Sequence, residues 1–191
     1  MSLRIAGGLA RGRPLRVPPS GTRPTSERAR AGLFNRLATL VDFDGASVLD
    51  LYAGSGAIGL EALSRGAKVA VLVDSDRRAV DVIRANARLV ADDRSQVHVR
   101  SADVRAFLAS SATDVPGAPF DVVFADPPYA LDEGGAAVLL EALARPEWTA
   151  PSAVVVLERP ARGEAPQWPE RFEPLTPKKY GEAVLWYGRA R

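Results

Sequence analysis

The tetrapeptide Asp126-Pro127-Pro128-Tyr129 combines a carboxylate, two rigid prolines and an aromatic ring at the end of an apolar run. The Asp126 carboxylate and the Pro127 carbonyl can both accept hydrogen bonds from an exocyclic amine, and the prolines fix the backbone before a ligand binds. Two such acceptors turn the nitrogen lone pair toward an electrophile, which favours the transition state over the ground state. Tyr129 offers a flat face to a nucleobase. The motif predicts chemistry on a base amine, and its structural alternative is a proline turn capped by Asp126.

A glycine-rich turn precedes this motif in the chain. It follows one apolar run and opens a helical segment, and its glycines, Gly54, Gly56 and Gly59, permit a tight turn and a close backbone approach to a ligand. Asp74 ends the next apolar run, 20 residues after Gly54, where a carboxylate can accept from both hydroxyls of a ribose. The turn and the acid together predict a nucleoside-binding site, and a purely structural glycine turn is the alternative.

Asp50, directly ahead of this turn, discriminates between possible ligands. A carboxylate there would repel the pyrophosphate of a dinucleotide, whereas it would attract the sulfonium and amino groups of S-adenosylmethionine. The sequence therefore indicates S-adenosylmethionine, with a capping role for Asp50 possible alongside. Asp103, after the third apolar run, can accept from the adenine amine, although a helix N-cap explains it almost equally well.

The positive charge of the chain is concentrated at one end. The formal net charge is only +2, but residues 1–36 hold eight arginines and one acidic residue, which gives +7 there and leaves −5 on the rest of the chain. A basic head on an acidic body indicates a polyanionic partner that the head holds. A solvated cationic face is the alternative.

Length and composition set further limits. A chain of 191 residues, 47% of them hydrophobic, suits one soluble domain with a small extension. There is no apolar run long enough for a membrane span and no secretory leader, so we expect a cytoplasmic protein. The absence of cysteine and the single histidine exclude disulfides, zinc–thiolate sites and multi-histidine metal sites.

Alternating strands and helices must position these motifs. Strands are predicted over 47–52, 69–74, 97–100, 120–126 and 153–158, and helices over 57–66, 76–91, 103–110 and 134–144. Continuous Val, Leu and Ile runs suit strands buried on both faces of a parallel sheet, which right-handed crossovers make doubly wound. Residues 166–180 and 183–189 predict an antiparallel hairpin at the sheet edge. Glu158 and Arg159, which end the fifth strand, are explained slightly better as structural residues than as pocket residues.

The N-terminal segment is predicted to be organised differently. Residues 3–19 read as short strands broken by turns, and Thr25 or Ser26 is expected to cap a helix. We therefore divide the chain into a basic N-terminal extension, residues 1–24, and a catalytic domain, residues 25–191.

The sequence resembles the RsmD family of bacterial 16S rRNA guanine-N2 methyltransferases over nearly its whole length. The matching segments are R-I-A-G-G (4–8), T-R-P-T (22–25), L-F-N (33–35), V-L-D-L-Y-A-G-S-G-A-I-G-L-E-A-L-S-R-G-A (48–67), V-D-S-D (73–76), D-P-P-Y (126–129) and Y-G-E (180–182). The resemblance implies a class I methyltransferase fold, that is, a Rossmann-like, seven-stranded, mostly parallel sheet with a C-terminal antiparallel hairpin and a small N-terminal hairpin and helix extension. Family members often carry Glu where this chain has Asp74.

The resemblance also implies residue roles. Asp126 to Tyr129 would hold the target guanine, Asp74 the ribose, Asp103 the adenine, and Asp50 with the glycines the methionine part of the cofactor. The full set expected to bind S-adenosylmethionine is Asp50, Tyr52, Ala53, Gly54, Ser55, Gly56, Asp74, Ser75 and Asp103. The arginines expected to bind rRNA are Arg4, Arg11, Arg13, Arg16, Arg23 and Arg28.

The expected reaction is methylation of a guanine N2 amine in 16S rRNA, within the assembled or assembling 30S subunit, by a monomer that needs no metal and no covalent nucleophile. The base must be turned out of its stack to reach the pocket. One alternative is methylation of adenine N6 in DNA, which D-P-P-Y permits, although no region is left for a separate base-recognition domain. Another is a non-catalytic RNA-binding assembly factor, against which both intact motifs argue.

Overall fold

The computed structural model describes residues 3–18, 27–91 and 95–191, without the side chains of Glu27 and Arg28. The elements within these ranges are α1 (Glu27–Leu37), β1 (Ser47–Leu51), α2 (Ala57–Ser64), β2 (Val69–Asp74), α3 (Arg77–Val90), β3 (Gln96–Ser101), α4 (Val104–Ala109), β4 (Phe120–Ala125), α5 (Glu133–Leu143), β5 (Thr149–Pro160), β6 (Phe172–Tyr180) and β7 (Ala183–Ala190). Each predicted strand and helix of the catalytic domain is present.

The strands form one seven-stranded sheet in the order β3-β2-β1-β4-β5-β7-β6. The first five strands in this order are parallel, whereas β7 runs antiparallel to both β5 and β6. The strand order reverses between β1 and β4, which is where ligands bind in open α/β sheets, beyond the carboxyl ends of the strands. We call that side of the sheet, where β1 to β5 end, the carboxyl edge.

Helices cover both faces of the sheet, which explains the unbroken apolar runs. One core contains Val48, Leu72 and Phe124 and is closed by α1, α2 and α3. The other contains Leu49 and Val73 and is closed by α4 and α5. Because side chains alternate along a strand, the central strands β1, β2, β4 and β5 each contribute to both cores and have little need of polar residues.

The C-terminal hairpin brings its turn to the carboxyl edge. In the antiparallel pairing of β5 with β7, Pro160 lies opposite Ala183 and Glu158 opposite Leu185. The two-residue turn that joins β6 to β7 contains Gly181 at φ 62°, a conformation that glycine adopts without strain. The predicted hairpin is therefore confirmed, and its turn lies on the same side as the ends of the parallel strands.

Three segments differ from the predicted secondary structure. β6 begins at Phe172, six residues after the predicted start at 166, because the Phe172 N–H donates to the Pro169 carbonyl at 2.9 Å in a turn ahead of the strand. β5 begins at Thr149, four residues before the predicted strand, because Thr149 pairs with Phe120 ahead of an irregularity in the β4–β5 register. In the N-terminal extension, residues 3–18, which we call the arm, fold back on themselves through a single β-bridge between Arg4 and Pro14. The predicted caps Thr25 and Ser26 lie outside the described residues.

The arm belongs to the main core. Its apolar residues Leu3, Ile5, Ala10 and Leu15 are buried in the cluster that α1, α2 and α3 close. The backbone N–H of Ile5 donates to the Arg13 carbonyl at 3.0 Å, which holds the two halves of the arm together. Among the described helices, none is long and apolar enough to cross a membrane.

Candidate active site

Three carboxylates converge at the carboxyl edge. In the sheet register Asp50 of β1 lies opposite Leu72 of β2 and Phe124 of β4. Asp74 lies two residues after Leu72, and Asp126 lies two residues after Phe124. The negative charges of Asp126 and Asp74 both act on Asp50. The structure therefore brings together three acids that are 24 and 52 residues apart in the chain.

Asp50 is the most deeply buried of the three, with 2% of its surface exposed. Its Oδ2 accepts a hydrogen bond from the Gly59 backbone N–H at 2.9 Å. Burial raises the pKa of Asp50 to about 8, and the charges of Asp126 and Asp74 add to that effect while the Gly59 hydrogen bond opposes it. Without a neighbouring cation this carboxyl is therefore largely protonated at neutral pH, and a bound cation would favour its ionised form.

Residues 52–56, which we call the cofactor loop because the sequence predicts that they bind S-adenosylmethionine, turn sharply between β1 and α2. Tyr52, Gly54 and Gly56 all have positive φ, at 59°, 56° and 75°. A Cβ on Gly56 would lie 2.9 Å from the Leu72 side chain, whereas a Cβ on Gly54 would meet nothing closer than the Tyr52 carbonyl oxygen at 4.0 Å. Gly56 is thus required by packing against the core, and Gly54 faces open space.

Asp74 ties the cofactor loop to the end of β2. Its Oδ2 accepts from the Gly54 N–H at 2.8 Å and its Oδ1 from the Asp76 N–H at 2.9 Å. The Asp74 carbonyl accepts from the Ala102 N–H at 3.0 Å, which connects the end of β2 to the segment after β3. Each carboxylate oxygen keeps acceptor capacity, and Ser75 beside it is exposed. Asp74 therefore braces the loop in addition to the predicted ribose role.

Asp103 is the N-cap of α4, where its Oδ1 accepts from the Ala106 N–H at 2.9 Å. The capping alternative is thus present in the structure, and the exposed carboxylate retains its other oxygen. Burial raises the pKa of Tyr52, and the charge of Asp103 raises it further, so Asp103 lies close to the cofactor loop. One side chain can cap the helix and face a ligand.

The Asp126 to Tyr129 turn begins where β4 ends. Burial raises the pKa of Asp126 to about 6, so this carboxylate is mostly ionised at neutral pH. Pro127 is buried and Pro128 is exposed, while Tyr129 is 75% exposed, which leaves its ring free to stack on a base. The Pro128 carbonyl accepts from the Leu131 N–H at 2.9 Å, which closes the turn.

Arg159 braces this turn from the end of β5. Its guanidinium donates to the Leu131 carbonyl at 2.7 Å, three residues after the second proline. This hydrogen bond is a structural contact of the kind that the sequence slightly favours for Arg159, and it acts on the loop of the site. Glu158, its neighbour on β5, is half-buried at the same carboxyl edge.

A largely apolar cavity of about 800 Å³ lies beside the cofactor loop, between α4 and α5. Tyr52 and Leu131 line it next to the two loops of the site, and Leu108 and Leu139 supply apolar walls from the two helices. Ligand sites are commonly concave and apolar with a few polar groups at the rim. Within the described parts of the chain, no cluster of three or more metal-binding side chains occurs.

The arm is fastened to α2 by buried polar groups that sequence reasoning missed. Glu61, which is fully buried, accepts from the Ala6 N–H at 2.7 Å and forms an ion pair with Arg65 at 2.9 Å. Ser64 accepts from the Ala10 N–H at 2.9 Å and donates to the Gly7 carbonyl at 2.6 Å. A polar pair on a predicted buried helix is the only sequence signal that could have indicated them.

The predicted RNA-binding arginines are exposed wherever the structure describes their side chains. Arg4, Arg11, Arg13 and Arg16 are all exposed. Arg4 also donates to the Gly12 carbonyl at 2.9 Å, and Arg13 donates to the Leu89 carbonyl. Arg23 and the side chain of Arg28 lie outside the described residues.

The arm extends along the α1–α3 face of the sheet. Its contacts with Ser64 and Leu89 lie at the last turns of α2 and α3, which lead into the starts of β2 and β3 and so lie opposite the carboxyl edge. The arm also contacts Asn86 of α3, whose side chain accepts a hydrogen bond from the Arg16 N–H. The same Asn86 side chain donates to the Ser55 carbonyl of the cofactor loop. Arg16 is therefore the described arm arginine most directly connected to the site.

Two lysines near the hairpin turn form a cationic pair that sequence reasoning left unassigned. Lys178 and Lys179 are exposed on β6 and pair with Leu185 and Val184 of β7. Because Leu185 also lies opposite Glu158 of β5, the pair is two strands away from the carboxyl end of β5. The only sequence signal was that these are two of just three lysines in the chain.

A doubly wound, mostly parallel sheet with an antiparallel C-terminal hairpin, carrying an acidic and glycine-rich site at the carboxyl edge, defines the class I S-adenosylmethionine-dependent methyltransferase fold. A solved Escherichia coli structure named "Putative methyltransferase yhhF" superposes with a TM-score of 0.86 at 31% identity, over 100% of this chain and 99% of that one. The structure of "SMU.776, a putative methyltransferase complexed with SAH" shares the fold, with a TM-score of 0.70 at 13% identity, over 90% of this chain and 52% of that one.

The chain belongs to the RsmD family. A family model described as Conserved hypothetical protein 95 matches residues 3–189. The chain is 37% identical to ribosomal RNA small subunit methyltransferase D of Escherichia coli K12 over 184 residues, which is 95% of this chain and 87% of that protein. It is 34% identical to the protein of the same name from Haemophilus influenzae over 157 residues, or 82% of this chain and 78% of that protein.

Proposed function

We propose that this protein transfers a methyl group from S-adenosylmethionine to the exocyclic N2 amine of a guanine in 16S rRNA, within the assembled or assembling small subunit. The observation that carries the proposal is the position of the Asp126-Pro127-Pro128-Tyr129 turn, beside the cofactor loop at the carboxyl edge. The name that the relatives share, ribosomal RNA small subunit methyltransferase D, supports rRNA as the substrate class.

The residues at the carboxyl edge fit S-adenosylmethionine. The protonated Asp50 can ionise toward a cationic ligand, and the backbone of the cofactor loop is open to close approach at Gly54. Asp74 retains acceptor capacity for ribose hydroxyls, and Asp103, which caps α4 through one carboxylate oxygen, has its other oxygen available to accept from the adenine amine. When bound, this cofactor supplies an electrophilic methyl carbon. This protein also shares its fold with the putative methyltransferase complexed with SAH, which supports S-adenosylmethionine as the cofactor.

The chemistry assigned to the protein is positioning. Asp126 and the Pro127 carbonyl accept hydrogen bonds from the guanine amine and hold its nitrogen in line with the methyl carbon, while Tyr129 stacks on the base. The amine loses a proton once its new N–C bond has formed, and Asp126 is placed to pass that proton to solvent. An ionised acceptor is needed for both tasks, and the pKa of about 6 keeps Asp126 ionised at neutral pH.

The basic groups fit an RNA partner. The arm presents Arg11 and Arg16 to solvent, and the hairpin presents Lys178 and Lys179 near the carboxyl edge. These cations would neutralise phosphates on two sides of the target nucleotide, which positions the substrate without reading its sequence.

The test is a transfer assay with radiolabelled S-adenosylmethionine and three substrates, namely 30S subunits, naked 16S rRNA and duplex DNA. Substrates come from a strain that lacks the corresponding methylation, and labelled nucleosides are identified by mass spectrometry. We expect N2-methylguanine in 16S rRNA, produced from 30S subunits, and at least about 10²-fold slower labelling with the Asp126→Ala variant. N6-methyladenine in DNA would support the DNA methyltransferase instead. Absence of cofactor binding would support a non-catalytic assembly factor.

A further inference from the structure

Asn86 of α3 is fully buried and forms hydrogen bonds to two separate segments. Its Oδ1 accepts from the Arg16 N–H at 2.8 Å, and its Nδ2 donates to the Arg16 carbonyl at 2.9 Å. The same Nδ2 donates to the Ser55 carbonyl at 2.8 Å. One side-chain amide therefore connects the arm to the cofactor loop.

The geometry makes these bonds interdependent. A primary amide has two N–H donors in one plane, and both are used here, one on Arg16 and one on Ser55. Rotation of the amide to improve one bond misaligns the other. A buried amide that loses a partner also bears a desolvation penalty, so the arrangement in which both segments are seated is the favoured one.

The cofactor loop needs such a restraint. Ser55 lies between Gly54 and Gly56, and because glycine has no Cβ, the backbone on both sides of Ser55 has wide conformational freedom. Ile83, one turn before Asn86, supports the loop from below, since its Cγ2 lies 3.3 Å from where a Cβ on Gly56 would be. The same face of α3 thus fixes the loop by packing and by a hydrogen bond.

We propose that Asn86 is a positioning residue that couples the arm to the cofactor loop, so that ordering of either segment favours ordering of the other. This inference rests on the proposed function, because it takes the loop as the cofactor site and the arm as the RNA site. Coupling between two binding sites is reciprocal. Cofactor binding would therefore prepare the arm for RNA, and RNA on the arm would tighten cofactor binding.

The test measures amide hydrogen exchange of the full-length protein, with S-adenosylhomocysteine as the added probe and no RNA present. In the wild type we expect the probe to slow exchange at Arg16 and in neighbouring arm amides. In Asn86→Ala we expect that protection to vanish and the dissociation constant of the probe to rise about tenfold, the effect of one lost hydrogen bond.

Ser64→Ala is the matched control, because Ser64 fastens the arm at Gly7 and Ala10 without touching the cofactor loop. It should loosen that end of the arm while leaving the probe affinity and the probe-induced protection at Arg16 unchanged. The wild-type measurement is decisive even if Asn86→Ala fails to fold. Wild-type protein that binds the probe in calorimetry without protecting the arm overturns the coupling alone. Wild-type protein that binds no probe overturns the proposed function and the coupling with it.

Discussion

The buried Asp50 carboxylate accepts a hydrogen bond at 2.9 Å from the backbone N–H of Gly59, in the first turn of α2. This bond joins the end of β1 to the helix that follows the cofactor loop. It also fixes an acid in an apolar environment, where burial raises its pKa to about 8. The site therefore contains a carboxyl that is mostly neutral at pH 7 until a positively charged ligand binds.

Cofactor binding should release protons from Asp50. A sulfonium or ammonium group near the carboxyl lowers its pKa from about 8. Near pH 7 each binding event should therefore release up to about one proton, and the number is larger when the pKa falls further. Above pH 9 almost no proton should be released, because Asp50 is already ionised before the cofactor binds. Calorimetry of S-adenosylmethionine binding in buffers of different ionisation enthalpy measures this release. Asp50→Asn retains an acceptor for the Gly59 N–H and should bind without proton release. Equal release by wild type and variant would assign the proton to another group.

The stability of the ligand-free protein should fall as the pH rises. The folded state holds the Asp50 proton up to about pH 8, whereas the unfolded chain releases it near 3.8, the ordinary pKa of an aspartate. Between these values the folded state binds more protons, so the free energy of unfolding decreases with pH, by at most about 1.4 kcal/mol per pH unit. Urea unfolding of wild type and Asp50→Asn between these two pH values checks this. The variant should show a shallower decline, and parallel curves would contradict the assigned pKa.

Asp126→Ala should lower turnover by about 10² to 10³-fold, the usual effect of removing one positioned transition-state hydrogen bond. Affinity for S-adenosylhomocysteine should remain at the wild-type value, because Asp126 is assigned to the target amine. Single-turnover transfer and calorimetry provide the two measurements. Wild-type turnover in the variant would remove Asp126 from the mechanism. In the wild type, turnover should decline below about pH 6, where Asp126 becomes protonated, accepts more weakly from the amine and can no longer take up its proton.

The two loop glycines should respond differently to alanine. Gly56→Ala places a Cβ 2.9 Å from Leu72 and also strains a φ of 75°, so it should destabilise the fold by about 2 kcal/mol or more. Gly54→Ala strains a similar φ of 56° but meets no close neighbour, so it should lower stability by about 1 kcal/mol. The Cβ that Gly54→Ala adds enters the space assigned to the cofactor, so this variant should also bind S-adenosylhomocysteine more weakly. Thermal unfolding and calorimetry compare the pair, and equal stability losses would contradict the packing role of Gly56.

Neutralising cations on either side of the site should flatten the salt dependence of 30S binding. The paired variants are Arg11→Gln with Arg16→Gln, and Lys178→Gln with Lys179→Gln. Each lost phosphate contact should reduce the slope of log affinity against log salt by about 1. Arg84→Gln is the control, because Arg84 on α3 already pairs with Asp81 at 3.5 Å. If the slope of log affinity against log salt is unchanged in both double variants, these residues do not contact phosphates and form only a solvated cationic surface.

The sequence by itself determined the parallel sheet, the hairpin and the two motifs of the site. Strands buried on both faces appear as continuous apolar runs, and a motif such as Asp126 to Tyr129 is read from neighbouring residues alone. The rule that parallel strands end at one edge then placed Asp50, Asp74 and Asp126 together. These inferences need only local pattern and general topology, which is why they agree with the structure.

Only the tertiary structure decided how the arm is held and how the acids are tuned. Arg16 and Asn86 are 70 residues apart, and Ala10 and Ser64 are 54 apart, so no local pattern pairs them. The pKa of Asp50 depends on burial and on charges from two other strands, which exist only after the sheet has assembled. Hydrogen bonds and desolvation depend on which atoms meet in space, and that information appears only when distant segments pack.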